Sequence, residues 1–428
     1  MSHIFSIFIS LFLLRFVSLI ELPLSFLSSD TSSLRSLSFS ESVFTNNTLY
    51  LMTIPLCFGL PQQCFNLLYS INTHKTYVYN STLNMKIKHT YYISRSKTKK
   101  YNNRDNLEQI QKDLYANEIC DIVSNFTDNK ELLFSFYLVN EVDYSLYLPY
   151  DGSVGLAREY KDDIVIPMHF RTDANESYSL IDYLYKNRLI KRKVFAHKIF
   201  KSSKRGSVYL GEAGTNSIHY NKCKSNTLNE GNCYRTLWHC GISNITIKNK
   251  QILPRKKSIV FNSDSYYTIV PDSISEDLYR TLLGDDYYLK KCKLFSLGEY
   301  GLGLFCDSIP ENISDIILTI DEGFNVTIKG DQMFRYTHYH KFQIDFWGYV
   351  SSITSDMFLD ETIVLGKLFI ENYHMIFDYE DNTVGFIEMT AYKDISTDIT
   401  LIKSLYMIAS LLMVIAVIML NITNKKDY

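Results

Sequence analysis

Two polar turns, Ser70-Ile-Asn72-Thr73 and Asn262-Ser263-Asp264-Ser265, each follow an apolar run and lead into a second β-rich run. Two carboxylates brought together by such turns would share one proton, one acting as base while its partner stays an acid. Such a pair can serve as a general base toward water and as a general acid in the same reaction. The turns of this chain hold a single carboxylate, Asp264, beside the hydroxyl of Ser70 and the amide of Asn262. A serine hydroxyl is not a base near neutral pH, and no base adjoins Ser70 in the local sequence. Asn262 has the shape of an aspartate and hydrogen-bonds like one, but it does not usefully take up a proton.

Other reactive residues are weaker starting points. His338 and His340 flank Tyr339, which on a strand puts both on one face. No further ligand completes a site nearby, so no metal is expected there. Cys233 and Cys240 lack the spacing of a zinc knuckle. The eight cysteines, Cys57, Cys64, Cys120, Cys223, Cys233, Cys240, Cys292 and Cys306, instead read as a disulfide set in an oxidising compartment. Cys292 and Cys306 flank one loop and are the pair expected to be joined. A basic run between Lys186 and Arg205 reads as a solvated edge, with an anionic partner as the alternative. Net charge is −2, which argues against a nucleic-acid partner, and no cofactor is expected.

The elements that must position the turns are strands. From Leu49 onward, short runs rich in Tyr, Ile, Val, Phe and Thr alternate with polar turns, an all-β pattern. Helical spacing is confined to a few segments, chiefly Ser179 to Asn187 and Ser273 to Leu283, the latter opening on a Ser-x-x-Glu start.

The ends have a different composition. Residues 1–22 read as a signal peptide built on the apolar run from Ile4 to Ile20, with an uncleaved signal anchor as the alternative. Residues 23–47, Ser- and Leu-rich, read as a leader or linker. Leu405 to Leu420 is free of charge and, within 404–421, approaches the minimum length of a spanning helix. Lys425 and Lys426 follow it, which predicts a single-pass type I membrane protein with a cytoplasmic tail at 422–428 and its bulk lumenal or extracellular. Sequons at Asn46, Asn80, Asn125, Asn175, Asn244, Asn312 and Asn325 are glycosylation candidates and would mark surface positions.

A series of landmarks along the chain resembles the pepsin-like aspartic proteases. Leu51-Met-Thr-Ile-Pro-Leu-Cys-Phe-Gly59-Leu-Pro-Gln62-Gln63-Cys-Phe65 is similar to the strand and turn before that family's first active-site loop. Asp151-Gly-Ser-Val-Gly155-Leu-Ala157 resembles its Asp-Gly-Ile-Leu-Gly-Leu-Ala element, and Gly206-Ser-Val-Tyr-Leu-Gly211 the strand closing its first lobe. Trp238-His-Cys-Gly-Ile-Ser-Asn-Ile-Thr-Ile247 resembles the opening of the second lobe. Ile363-Val-Leu-Gly366-Lys-Leu-Phe and Val384-Gly385-Phe386 are similar to its final loop and last strand. Their order and spacing identify the chain as a member, and the C-terminal anchor resembles the memapsin and plasmepsin V branches.

The resemblance implies a bilobal all-β fold, with an N-terminal lobe over 48–218, a C-terminal lobe over 219–395, a stalk over 396–403 and a cleft between the lobes. It implies that Ser70 and Asn262 stand where the family carries its two aspartates. Anchoring the second loop on Ser-Ile-Val would place Phe261 there instead, whereas anchoring on Pro271 places Asn262 and keeps the loop length. Asn72 and Asp264 then occupy the family's glycine positions, where their tolerance of positive φ would preserve the turns. Asp264 is not expected to reach the dyad position and is retained as a substitute catalytic group of low weight. Asn72, Thr73, Ser263 and Ser265 would line the substrate cleft. A glycine-rich flap is missing, since no glycine lies between Gly59 and Gly152. His89 to Arg104, polar and basic, is the candidate region and reads as a flap of altered shape or a solvated loop; without the glycine turn neither Tyr91 nor Tyr92 is expected to serve as a flap tyrosine. The function implied is a membrane-anchored pseudoprotease that binds a peptide or protein. An endopeptidase with a non-standard dyad and a structural or adhesive surface protein are the alternatives.

Overall fold

The computed structural model describes residues 20–28, 50–83, 89–101, 108–111, 114–123, 133–142, 150–157, 179–200, 205–215, 219–225, 238–252, 257–296, 302–341, 344–356 and 362–389. They form a mostly β structure organised as two large sheets. One compact unit runs through Phe386; of the second unit, 387–428, only Ile387–Met389 are described.

The first sheet joins strands from both ends of the chain. Gln63–Ser70 pairs antiparallel with Tyr50–Phe58 on one side and parallel with Gly152–Gly155 on the other. Val194–Phe200 pairs with Tyr373–Asp378, so a strand late in the sequence completes a sheet begun early. Rings seal that junction: Phe195 stacks on Phe377 at 4.6 Å between centroids, and Trp238 packs against Phe377 at 5.2 Å. The second sheet is built around Lys257–Phe261, which pairs parallel with Thr362–Leu365 and antiparallel with His239–Ile247. Gly152–Gly155 and Thr362–Leu365 are buried on both faces, which fits their short, small or apolar sequences. Ile316–Ile320 alternates buried and half-buried residues, as a strand with one wet face does.

Part of the stretch read as signal peptide and leader or linker is paired into the first sheet. Ile20–Ser28 is a strand inserted between Arg205–Leu210 and Tyr50–Phe58. Leu22 and Leu24 are buried while Glu21 and Pro23 are exposed, a period-two pattern inside a Ser- and Leu-rich stretch. The expected signal boundary at residue 22 falls within this strand. The rest of the predicted signal peptide and the spanning segment Leu405 to Leu420 lie outside the described residues. Among the described residues, no helix is long and apolar enough to cross a membrane.

Both expected helices form. Leu180–Lys186 is capped by Ser179, whose Oγ accepts from Asp182 N–H at 3.2 Å, and its Leu180, Ile181 and Leu184 are buried. Asp272–Leu283 starts one residue before the Ser-x-x-Glu segment and buries Ile274, Leu278 and Leu282. Two short helices, Asp285–Lys291 and Lys367–Ile370, have no distinct signal in the sequence.

Disulfides join Cys57 to Cys64, Cys223 to Cys240 and Cys292 to Cys306. The last is the expected pair, and its residues face each other across adjacent strands. Cys240 is thereby excluded from a zinc site. Cys120 lies with its Sγ 2.9 Å from Ser135 Oγ, and Cys233 falls outside the described residues. The basic run is partly neutralised within the fold, because Arg192 binds Asp378 at 2.8 Å and Lys193 binds Asp182 at 2.6 Å.

Candidate functional site

The two polar turns meet. Each follows a strand whose end lies beside a glycine on a parallel neighbour, giving the fold an internal two-fold relationship. Ser70 pairs with Gly155, and its carbonyl accepts from Leu156 N–H at 2.8 Å. Phe261 pairs with Leu365, so that Asn262 lies one step on, beside Gly366, and donates its N–H to Leu365 O at 2.9 Å. Ser70 and Asn262 are therefore counterparts within the fold.

Both glycines are required by close approach. A Cβ on Gly155 would lie 2.4 Å from the His74 carbonyl carbon, and one on Gly366 would lie 2.1 Å from Tyr267 O. Each turn folds back over its glycine, and no side chain fits between them.

The turns are bonded to each other. Ile71 N–H donates to Ser263 Oγ at 3.0 Å, and Ser263 Oγ also lies 3.0 Å from Tyr69 O. Ser70 Oγ, on a fully buried residue, donates to Asp264 Oδ2 at 2.8 Å and accepts from Asn72 N–H at 3.3 Å. Asn262 Oδ1 accepts from Asp264 N–H at 2.9 Å, from Ser265 N–H at 3.0 Å and from Asn72 Nδ2. That amide closes its own turn and fastens the opposite one.

These contacts correct two expectations. Asp264 does reach the Ser70 position, because its side chain points across into the opposite turn rather than along its own. Asn72 and Asp264 also do not use left-handed backbone. Among the described non-glycine residues, positive φ occurs at Arg188, Lys248, Asn249 and Asn382. Hydrogen bonds from Asn72 and Asp264, rather than conformational tolerance, are what these side chains bring to the turns.

Asp264 is solvent-accessible on one side and densely surrounded by protein on the others. That crowding lifts its carboxyl to about 6, against hydrogen bonds from Ser70, Ser263 and Asn72 that favour the ionised form. The single hydroxyl proton of Ser263 faces two acceptors, Tyr69 O and Asp264 Oδ1, both at 3.0 Å. With Asp264 neutral, its own proton can serve the contact to Ser263, and the Ser263 proton is freed for Tyr69 O.

Beneath Ser70, Tyr69 OH lies 2.8 Å from His197 Nδ1, both residues fully buried. Burial keeps the phenol protonated and pushes His197 down to about 3, so the phenol donates to a neutral imidazole. His374, also fully buried, is pushed down to about 4 by burial and then by Lys198. The sequence gives no signal for these histidines, since each looks like an ordinary strand residue.

Other predicted residues scatter. Thr73 and Ser265 stay within their own turns, where Thr73 Oγ1 accepts from Lys75 N–H at 3.1 Å and Ser265 Oγ accepts from Tyr267 N–H at 3.2 Å. Tyr91 is core: it is fully buried, and its OH donates to Asp121 Oδ2 at 2.5 Å. Tyr92 is exposed, with the Arg95 guanidinium 4.0 Å over its ring. After this region, Glu108–Gln111 pairs antiparallel with Leu114–Ile122. His338 and His340 lie on the strand Phe334–Lys341, and no cluster of three metal-ligating residues occurs among the described residues.

The sequons divide by environment. Asn312 and Asn325 are exposed. Asn80 departs from the expected surface placement, being buried with its Nδ2 bonded to Asn140 Oδ1 at 2.5 Å. Asn244 lies within a strand and donates to Thr246 Oγ1 at 3.1 Å. Asn46, Asn125 and Asn175 lie outside the described residues.

No curated protein matches the chain. Residues 50–389 match the eukaryotic aspartyl proteases, a span that contains both turns, both close-packed glycines and nearly all of the two sheets, and the chain belongs to that family.

Proposed function

We propose that this chain is a catalytically inactive, pepsin-like family member that binds a peptide or protein segment at the paired turns without cutting it. The observation that supports this reading is the pairing of Ser70 with Gly155 and the matching place of Asn262 beside Gly366, two residues unable to act as bases at equivalent points of the two turns. Both aspartates of the family dyad are then replaced. The reaction needs one carboxylate to take a proton from water while another supplies one. Asp264 is the one carboxylate in the two turns, and its oxygens face Ser70 Oγ and Ser263 Oγ. A positioned acid or base contributes about 10²–10⁴-fold to such a reaction, and groups that act as a unit fail together. We further propose that the chain is anchored by Leu405 to Leu420, with its bulk lumenal or extracellular.

A second reading, an endopeptidase working through Asp264, is favoured by one observation: a solvent-accessible carboxyl raised to about 6 is suited to proton transfer. The two readings separate when the full-length chain is incubated with a mixed peptide library and bound and cleaved peptides are both analysed. Peptides retained intact support the pseudoprotease. Cleavage at defined sites that is abolished by Asp264→Ala supports the second reading.

A further inference from the structure

We propose that the ligand of the paired turns presents a positively charged side chain, lysine or arginine, to Asp264. This rests on the peptide-binding reading and names the chemistry the site selects.

Two features of the site carry the inference. Asp264 is open to solvent, yet its carboxylate is fixed in direction by neutral donors alone, Ser70 Oγ at 2.8 Å and Ser263 Oγ at 3.0 Å. Among the described residues, no lysine, arginine or histidine forms an ion pair with it, in contrast to Asp378, Asp182 and Asp151 elsewhere in the fold.

A lysine ammonium or an arginine guanidinium carries several N–H donors and a full positive charge, so it can bond the solvent-facing carboxylate and balance its charge. A neutral amide or hydroxyl would leave the charge uncompensated, and a carboxylate or phosphate would be repelled by it. Tyr69 and Tyr77, both buried and both close enough to feel the Asp264 charge, are held protonated and add no competing anion.

The test uses the immobilised full-length chain, a random peptide library containing lysine, and a matched library with norleucine in place of lysine and citrulline in place of arginine. Retained peptides are identified by mass spectrometry for wild type and for Asp264→Asn, with thermal denaturation confirming that the variant is folded. The expected result is enrichment of lysine- and arginine-containing peptides on the order of tenfold, lost in Asp264→Asn while other peptides are still retained. Retention without basic enrichment, or enrichment that survives Asp264→Asn, overturns this inference and leaves peptide binding standing. Retention of no peptide by wild type overturns the binding reading and this inference with it.

Discussion

Ser70 Oγ donates to Asp264 Oδ2 across 2.8 Å, linking residues 194 positions apart in the chain. The bond couples the end of one sheet's central strand to the turn that follows the other's. The site's one carboxylate is thus both its only ionisable group within the two turns and part of the fastening between them.

That double role gives Asp264 a defined effect on stability. Its folded pKa, about 6, lies above the usual aspartate value, so the folded state takes up its proton before the unfolded chain does. Stability from this group is greatest below the unfolded value near 4 and is lost as pH rises toward 6. Asp264→Asn should therefore stabilise the protein at neutral pH and leave it nearly unchanged near pH 4. Urea denaturation of both proteins at the two pH values measures the difference; an equal effect at both would refute the assignment.

The buried histidines act with the opposite sign. His197 and His374 are pushed down to about 3 and about 4, below the ordinary value of 6.5, so the unfolded chain binds protons first as pH falls. Stability from each is intact above pH 6.5 and declines below it, by at most about 1.4 kcal/mol per pH unit for each histidine. His197→Asn, which keeps an acceptor for Tyr69 OH, should flatten the acid limb of a stability-against-pH curve. An unchanged limb would show that His197 is not neutral in the fold.

How far the sequence revealed these relationships depended on their range. The all-β pattern, the helix over Ser179 to Asn187 and the Cys292–Cys306 bridge were legible because strand alternation, helical spacing and a short loop are local signals. The strand Ile20–Ser28 was missed because its Leu22 and Leu24 repeat sits among serines and leucines without punctuation. Asp264 was misjudged for a different reason. Its contact with Ser70 depends on how two turns face each other across the fold, which no local period encodes. Tolerance of positive φ was a reasonable expectation at Asn72 and Asp264, but the side-chain hydrogen bonds across the junction decide the turn geometry instead.

The internal two-fold relationship predicts matched sensitivity at Gly155 and Gly366. Alanine at either places a Cβ against backbone atoms of the turn that carries Ser70 or Asn262. Each substitution should cost at least about 2 kcal/mol, since backbone cannot move aside as a side chain can. Chemical denaturation provides the test, and a neutral Gly366→Ala would contradict the close packing.

Sequon placement predicts a selective pattern of modification. When the chain is expressed in a secretory eukaryotic host, Asn312 and Asn325 should carry glycans, because both are exposed. Asn80 should not, since its Nδ2 is buried and bonded to Asn140. Glycopeptide mass spectrometry distinguishes the three, and a glycan at Asn80 would contradict its environment.

The central claim is that a single carboxylate at the paired turns does not hydrolyse peptides. Its most direct test compares full-length wild type with Asp264→Ala on one defined peptide library from acid to neutral pH, scoring new peptide termini by mass spectrometry. The account predicts no new termini from either protein. Site-specific cleavage by wild type that disappears in Asp264→Ala would contradict it.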